Sequence, residues 1–366
     1  MATSTLPKNT GNNNEEFPII DSHIHLYAAT HIPSLNWTAD LPSTHPLNRQ
    51  YSTSDYLSAT EAYSSALLGF VFLETDRKSG LHDDQWTDAL NEVDFLVRVA
   101  RGEPREGEGH APEDKRLVLG IVPWAPLPNG KDGLARYILH VKQHAAEKWD
   151  LIKGFRYLVQ DKPPGVMLRP EFIEGLRGLG KIKLSFDLGV DARSGGMGQL
   201  QEACEMMERL YSSTEEDKSQ LTMVINHLCK PNLRLAAPEA RGGHPDFTKW
   251  KECVYQMAGY KSTYMKLSGM FSELPERTAD QPTEISALVE HTKPWVDVVF
   301  DAFGSERIMF GSDWPVCNVG GPGIAASWRY WHALVAAILD AQGLTAQEKA
   351  MVWSGTAVKA YGIKIT

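Results

Sequence analysis

Eight short apolar segments recur along the chain, and each ends in small or polar residues. They are Phe17–Ile20, Leu67–Leu73, Leu117–Val122, Leu151–Leu158, Ile182–Leu188, Leu221–Ile225, Tyr264–Leu267 and Arg307–Phe310. None is long enough to be a buried helix. Most are rich in Val, Ile, Leu and Phe without polar alternation, as parallel strands covered on both faces should be. Eight such strands separated by helices predict a closed (β/α)8 barrel.

The segments between these strands have the apolar spacing of amphipathic helices. The clearest are Asp83–Val99, Asp132–Trp149, Gln199–Leu210, Pro294–Phe303 and Ile324–Ala341, followed by a capping-box sequence at Thr345-Ala-Gln-Glu348. A doubly wound sheet is the alternative, but no Gly-rich phosphate turn follows the first strand. Barrels of this kind exceed about 250 residues as one domain. We therefore predict a disordered leader at residues 1–16 and a single barrel domain at 17–366.

Three further segments read as loops. Leu26–Ser54 and Ala192–Gly198 follow predicted strands, so a barrel would bring them to its C-terminal face, where active sites are built. The length of Leu26–Ser54 suits a lid over the site, and a disordered loop is the alternative. Arg101–Lys115 is charged and Gly-rich, which indicates a solvated insertion.

Composition limits the classes of partner. The net charge is −9 and no Lys/Arg cluster stands out, which argues against nucleic-acid binding. No apolar segment approaches the ~20 residues of a membrane span, and no signal-peptide segment is visible. The four cysteines lack C-x-x-C spacing, so we expect reduced, buried thiols. These features predict a cytoplasmic protein that acts on a small molecule, with a homo-oligomer left open.

Polar side chains lie where most of the predicted strands end. The set comprises His23, His25, Glu74, Arg156, Asp187, His227, Lys266 and Asp313. Charged residues are rarely buried unless they are paired or bind a metal, and a barrel would make these residues neighbours. On a strand, residues i and i+2 face one side, so His23 and His25 could converge on one divalent cation, with Asp313 completing the site.

Five ordered motifs carry a family resemblance. They are Asp21-Ser-His-Ile-His25, Lys153-Gly-Phe-Arg-Tyr157, Asn226-His-Leu-Cys-Lys-Pro231, Lys266-Leu-Ser-Gly269 and Gly311-Ser-Asp-Trp-Pro315. Together they resemble the amidohydrolase superfamily, and more narrowly the amidohydrolase-2 branch that contains sugar-acid lactonases. The resemblance covers residues 17–361. It departs from the fullest superfamily pattern at strand five, which offers Asp187 instead of histidine, and at strand four, where Arg156 stands in place of a bridging lysine.

The resemblance implies a hydrolase that opens a cyclic ester, a sugar-acid lactone, with an activated water. We expect one divalent metal, zinc or alternatively manganese, held by His23, His25, Asp313 and Glu74; metal-free activity stays open. Asp313 would accept the proton of the water. Arg156 and His227 would stabilise the oxyanion or grip the substrate. Further candidates for substrate contact are Glu74, Lys266, Tyr157 and Trp314, with packing as the alternative for the two aromatic residues.

Two other functions stay open on the sequence. A metal-dependent, non-oxidative decarboxylase of an aromatic or unsaturated acid belongs to the same branch, but there we would expect a fuller ligand set, including the missing strand-five histidine. A non-catalytic barrel that binds a small molecule is the second alternative. The intact set of polar residues at the strand ends argues against it.

Overall fold

Eight parallel strands form the centre of the molecule, with the helices packed outside them. The computed structural model describes residues 17–211, 221–275 and 284–365, so the predicted leader lies outside the described residues. The strands are β1 (Ile19–Ile24), β2 (Leu67–Leu73), β3 (Val118–Val122), β4 (Gly154–Arg156), β5 (Ser185–Leu188), β6 (Met223–Ile225), β7 (Thr263–Leu267) and β8 (Ile308–Phe310).

The eight strands lie in two parallel sheets that isolated bridges connect. Ladders join β1-β2-β3 and β4-β5-β6-β7-β8, all in parallel register. Isolated parallel bridges connect the two sheets, Ile121 with Ile152 between β3 and β4, and Ile24 with Trp314 between β8 and β1. The predicted (β/α)8 barrel is therefore confirmed.

The helices alternate with the strands as the apolar spacing predicts. They are α1 (Thr53–Thr60), α2 (Thr87–Arg101), α3 (Gly130–Ala145), α4 (Pro170–Lys181), α5 (Met197–Tyr211), α6 (Ala237–Arg241), α7 (Pro245–Ala258), α8 (Ile285–Phe303), α9 (Ser327–Ala341), α10 (Ala346–Ala350) and α11 (Thr356–Tyr361). The predicted capping box at Thr345 opens α10, because its hydroxyl accepts the N–H of Glu348. In the part of the chain that the structure describes, no helix has the length and apolarity needed to cross a membrane.

Two apolar layers surround the strands. Side chains that point outward pack on the helices, as Phe186 of β5 does on Phe172 of α4, with ring centroids 6.0 Å apart. Side chains that point inward, among them Ile20, Val71 and Met309, form a second cluster that includes Tyr361 at the end of α11. The C-terminal segment therefore covers the end of the barrel at which the strands begin. The carboxyl ends of the strands stay open for a site.

Candidate active site

The His-x-His pair leaves β1 at an irregularity of the strand. Asp21 pairs with Phe70 and Ile24 with Phe72, so β1 contains one residue more than β2 between these two pairs. An extra residue of this kind bends a strand and redirects its side chains. It brings His23 and His25 together, with their Nε2 atoms 3.2 Å apart.

Asp21 fastens β1 to the segment that follows β8. Its Oδ1 accepts the backbone N–H of Ser312 at 2.7 Å, and its Oδ2 accepts from Tyr56 and Trp328 at 3.0 and 2.9 Å. One residue further on, the N–H of Asp313 donates to the carbonyl of His23 at 2.9 Å. These bonds hold Asp313 opposite the histidine pair.

Asp313 is the centre of the cluster. One of its carboxylate oxygens lies 3.5 Å from Nε2 of His23, 3.5 Å from Nε2 of His25 and 3.7 Å from Nε2 of His227. The backbone of Asp313 has a φ of +58°, a conformation that L residues other than Gly, Asn and Asp rarely adopt. A left-handed backbone conformation at a strand exit is frequent at functional sites, and an aspartate tolerates it at little cost.

His227 opens an unusual turn after β6. His227, Leu228, Cys229 and Lys230 all have positive φ, at +55°, +54°, +61° and +45°. The turn is held by the indole N–H of Trp250, which donates to the carbonyl of Leu228 at 2.8 Å. On its other side, Nδ1 of His227 lies 2.8 Å from the hydroxyl of Ser268. The turn thus directs the remaining nitrogen of His227 toward Asp313.

Burial keeps His23 and His227 neutral, and neighbouring groups keep Asp313 ionised. Burial lowers the pKa of His227 to about 3, and burial together with Lys266 holds the pKa of His23 well below its usual value. For Asp313, burial acts to raise the pKa, but His227 and His25 outweigh it and the pKa is lowered. The cluster therefore combines the carboxylate of Asp313 with the uncharged imidazoles of His23 and His227, which suits proton transfer or cation binding.

The donor atoms fit a single divalent cation. One ligand atom from each of His23, His227 and Asp313 lies within 4.8 Å of the others. His25 adds a nitrogen beside them, because its Nδ1–H donates to the carbonyl of Leu73 at 3.0 Å and its Nε2 therefore carries a free lone pair. Imidazole and carboxylate are the ligands of catalytic zinc.

A cavity of about 310 Å³ opens above this cluster, the size of a small-molecule site. His25, His227 and Asp313 lie at its base. Polar residues of the wall are Glu74, Thr75, Asp76, Arg156, Gln160, Asp161 and Lys230. Apolar and aromatic residues, including Tyr27, Trp37, Leu41, Leu47 and Leu158, also line the cavity. A molecule with a polar edge and an apolar face would match this lining.

Glu74 pairs with Arg156 and stands apart from the metal-ligand group. Oε1 of Glu74 lies 3.4 Å from Nε of Arg156 without hydrogen-bond alignment, and both atoms are buried without a partner among the described residues. Oε2 of Glu74 accepts the N–H of Asp76 at 2.6 Å. Burial raises the pKa of Glu74 to about 8, against the effect of Arg156. In the structure His227, and not Glu74, joins His23 and Asp313.

Three of the predicted substrate contacts lie behind the cavity wall. Lys266 is fully buried below His23 and forms an ion pair with Asp187 at 2.6 Å. Trp314 packs edge-on against Tyr51 and Tyr56, and Tyr157 packs against Phe172. The reason is local: Lys266 points into the barrel interior, whereas the two aromatic side chains turn away from the opening.

The loop for which a lid or a disordered loop was predicted contacts the end of β2. Tyr27 bridges Tyr51 within it, and Leu35 bridges Arg77 beyond β2. The indole N–H of Trp37 donates to the carbonyl of Thr75 at 2.8 Å. These bonds connect the loop to the end of β2, and Tyr27, Trp37, Leu41 and Leu47 of the loop line the cavity.

Sequence reasoning missed several residues of the cavity. Lys230 lies within the quoted motif after β6 and reaches the wall because of the left-handed turn. Asp76, two residues beyond Glu74, also lines the cavity and has a φ of +55°. Gln160 and Asp161 follow β4 without a signal that would mark them. Position after a strand end is the one clue that these residues share.

The comparisons with known proteins agree with this geometry. The family model described as "Amidohydrolase" matches residues 20–363. An L-rhamnono-gamma-lactonase of Scheffersomyces stipitis is 33% identical over 353 residues, which are 95% of this chain and 99% of that protein. An L-fucono-1,5-lactonase of Burkholderia multivorans is 30% identical over 141 residues, which are 38% of this chain and 43% of that protein.

The fold also matches a solved structure. The crystal structure of an amidohydrolase from Burkholderia multivorans with bound zinc superimposes with a TM-score of 0.69 at 23% identity. The alignment covers 95% of this chain and 100% of the other. Because the family match spans nearly the whole described barrel, the chain belongs to the amidohydrolase family.

Proposed function

We propose that this protein hydrolyses a sugar-acid lactone, with Asp313 as the proton acceptor of the attacking water. The observation that carries the proposal is the carboxylate of Asp313, which lies within 3.7 Å of His23, His25 and His227 at a small-molecule cavity. The relative from Scheffersomyces stipitis, which is named an L-rhamnono-gamma-lactonase and aligns along almost its full length, supports the choice of substrate.

Ring opening of a lactone needs three things from the protein. A base must take the proton of the water, and Asp313 is available for this because its lowered pKa keeps the carboxylate ionised. Donors must stabilise the oxyanion, and Arg156 and Lys230 bring positive charge to the cavity wall. A proton must then reach the departing alkoxide, and Asp313 can return the one it has taken.

A bound divalent cation would be held by His23, His227 and Asp313, with His25 beside them. When bound, it would lower the pKa of a coordinated water toward ~7 and polarise the carbonyl. Zinc suits this mixture of nitrogen and oxygen donors, and manganese is the alternative. The bound zinc of the structural relative is in accord with this choice.

The walls of the cavity match a polyhydroxylated ring. Asp76, Gln160 and Asp161 offer acceptors and donors for hydroxyl groups on one side. Trp37 offers an aromatic face, and its indole N–H is already bonded to Thr75. Carbohydrate rings have polar edges and apolar faces, so both kinds of wall contribute to binding.

The test is a screen of purified protein with two substrate classes. L-Rhamnono-1,4-lactone and L-fucono-1,5-lactone would be followed by acid release at constant pH, and aromatic carboxylic acids by carbon dioxide release. We expect acid release from a lactone at rates well above spontaneous opening. Carbon dioxide from an aromatic acid would assign a decarboxylase instead. Binding of lactones without turnover would indicate a non-catalytic barrel.

The proposal extends to the setting of the enzyme. We propose that the enzyme is a single domain and that it is cytoplasmic. The cytoplasmic location is supported by the four cysteines, which are buried and free of disulfide bonds. A homo-oligomer and the absence of nucleic-acid partners stay predictions. Light scattering on the eluting protein would determine the oligomeric state, and limited proteolysis would test the single domain.

A further inference from the structure

A chain of hydrogen bonds runs from the C-terminal helix through the barrel interior to the histidine pair. Its members are Tyr361, Asp187, Lys266, His23, His25 and the carbonyl of Leu73. All the side chains are buried. Each hydrogen bond in such a chain needs one donor and one acceptor. The group at each end of the chain therefore determines which ring nitrogens of the two histidines carry a hydrogen.

The first end fixes the proton of His25. Nδ1 of His25 lies 3.0 Å from the carbonyl oxygen of Leu73. A carbonyl oxygen only accepts, so Nδ1 must carry a hydrogen. In a neutral imidazole the other nitrogen then has none, and Nε2 of His25 is an acceptor.

The second end fixes the proton of His23 independently. The ammonium of Lys266 lies 2.6 Å from Oδ2 of Asp187 and 3.2 Å from Nδ1 of His23. An ammonium group only donates, so Nδ1 of His23 accepts and Nε2 carries the hydrogen. The hydroxyl of Tyr361 donates to the same carboxylate at 2.8 Å and holds Asp187 in place.

The two ends agree at the centre of the chain. The Nε2 atoms of His23 and His25 are 3.2 Å apart, a contact that needs one donor and one acceptor. The Leu73 end makes His25 the acceptor, and the Lys266 end makes His23 the donor. We propose that Lys266 is a positioning residue that holds His23 in its Nε2–H tautomer, so that a divalent cation binds through His23 only by displacing this proton.

The displacement conserves atoms and charge. When a cation takes the lone pair of Nε2, the proton of Nε2 leaves to solvent. The remaining protons of Lys266 and His23 are then shared between Nζ of Lys266 and Nδ1 of His23. Together the two side chains carry one positive charge fewer than before. His25 gives up no proton, because its Nε2 already carries a lone pair. The inference rests on the proposed function only for the presence of a cation; the tautomers follow from protein atoms alone.

The tautomers can be measured in metal-free wild-type enzyme. Histidine labelled with ¹⁵N reports, through two-bond couplings to the ring protons, which nitrogen carries the hydrogen. We expect His23 to be protonated at Nε2 and His25 at Nδ1. An Nδ1–H signal for His23 would overturn the proposal. Because this measurement uses no substrate, a failed lactonase assay would leave its result unaffected.

A zinc titration of Lys266→Met measures the consequence. Without the ammonium donor, His23 is free to place its proton on Nδ1 and to offer Nε2 to zinc. We expect zinc to bind about 10-fold to 100-fold more tightly than to wild type. In calorimetry repeated in buffers of different ionisation heat, the variant should release one proton fewer per zinc. Equal affinity and equal proton release would contradict the proposal.

Two further variants separate positioning from folding. Tyr361→Phe keeps the ion pair between Lys266 and Asp187 and should leave the tautomer of His23 unchanged. If Lys266→Met does not fold because Asp187 is left unpaired, the double variant Asp187→Asn/Lys266→Met removes both charges together. It should then show the Nδ1–H tautomer of His23, and retention of Nε2–H in that folded variant would overturn the role of Lys266.

Discussion

Gly269 lies directly against the ring of His227. A Cβ at this position would stand 2.5 Å from Nδ1 of His227, and the glycine has a φ of +65°. Only a residue without a side chain leaves room for this histidine and its bond to Ser268. The position of His227, the metal-ligand candidate that follows β6, thus depends on a glycine that follows β7.

Gly269→Ala should therefore reduce turnover. The added methyl group pushes His227 away from Asp313, and a misplacement of about 1 Å can cost ~10²-fold in rate. Gly243→Ala is the matched control, because Gly243 has a φ of +87° with nothing within 4 Å of the added Cβ. Both variants should lose about 1 kcal/mol of stability. Equal activity of the two would show that the contact with His227 is unimportant.

The fold was largely accessible from the sequence, because apolar segments of strand length are a strong signal. β2 occupies the predicted Leu67–Leu73, and the other strands fall within or beside the predicted segments. The fourth segment, Leu151–Leu158, keeps only Gly154–Arg156 as strand. Leu151 and Leu158 at the two ends of this segment are apolar but do not pair with a neighbouring strand. Apolar composition alone does not distinguish them from the paired residues.

The site was accessible only in part. Position at a strand end identified His23, His25, His227, Arg156 and Asp313, which the structure brings together. The direction of a side chain was not accessible, because it depends on the irregularity in β1 and on the left-handed turn after β6. Hence Glu74 was expected among the metal ligands, although it pairs with Arg156.

Arg156→Lys should lower kcat/KM by about 10-fold to 100-fold with little change in melting temperature. Lysine keeps the charge but loses the planar fork that binds a carboxylate or carbonyl in two places. Arg136→Lys is a suitable control, because Arg136 forms a forked pair with Asp83 on the surface. A loss of stability as large as the loss of activity would identify Arg156 as the structural partner of Glu74.

Metal analysis distinguishes the two candidate ligand sets. We expect one equivalent of zinc per chain after incubation and desalting. His227→Ala should lose most of it, since His227 belongs to the close group with His23 and Asp313. Glu74→Gln should retain it. Two tightly held equivalents, or loss of zinc only in Glu74→Gln, would contradict the arrangement proposed for the site.

His332 should make stability depend on pH. Its ring stacks between Trp328 and Trp353, and burial lowers its pKa from 6.5 to about 4. Between these values the unfolded chain binds a proton that the folded protein does not, so stability falls as the pH is lowered from 6.5 to 4. The slope is at most ~1.4 kcal/mol per pH unit, and partial exposure should reduce the total to about 1–3 kcal/mol.

His332→Phe should flatten that part of the stability curve while keeping the aromatic stack. Urea unfolding of both proteins at several pH values between 4 and 7 measures the difference. Because the other buried histidines remain in both, only the difference between the curves counts. Parallel curves would show that His332 is protonated in the folded state at the same pH as in the unfolded chain.

The most direct test of the account is the rate of lactone opening by wild type and by Asp313→Asn. The asparagine keeps the shape but cannot accept the proton of the water, so kcat on the best lactone should fall by about 10²- to 10⁴-fold. Near-ultraviolet circular dichroism should be unchanged, and Asp84→Asn on the surface should behave as wild type. A kcat of Asp313→Asn close to that of wild type, on a lactone the enzyme opens well, would contradict the catalytic role of Asp313.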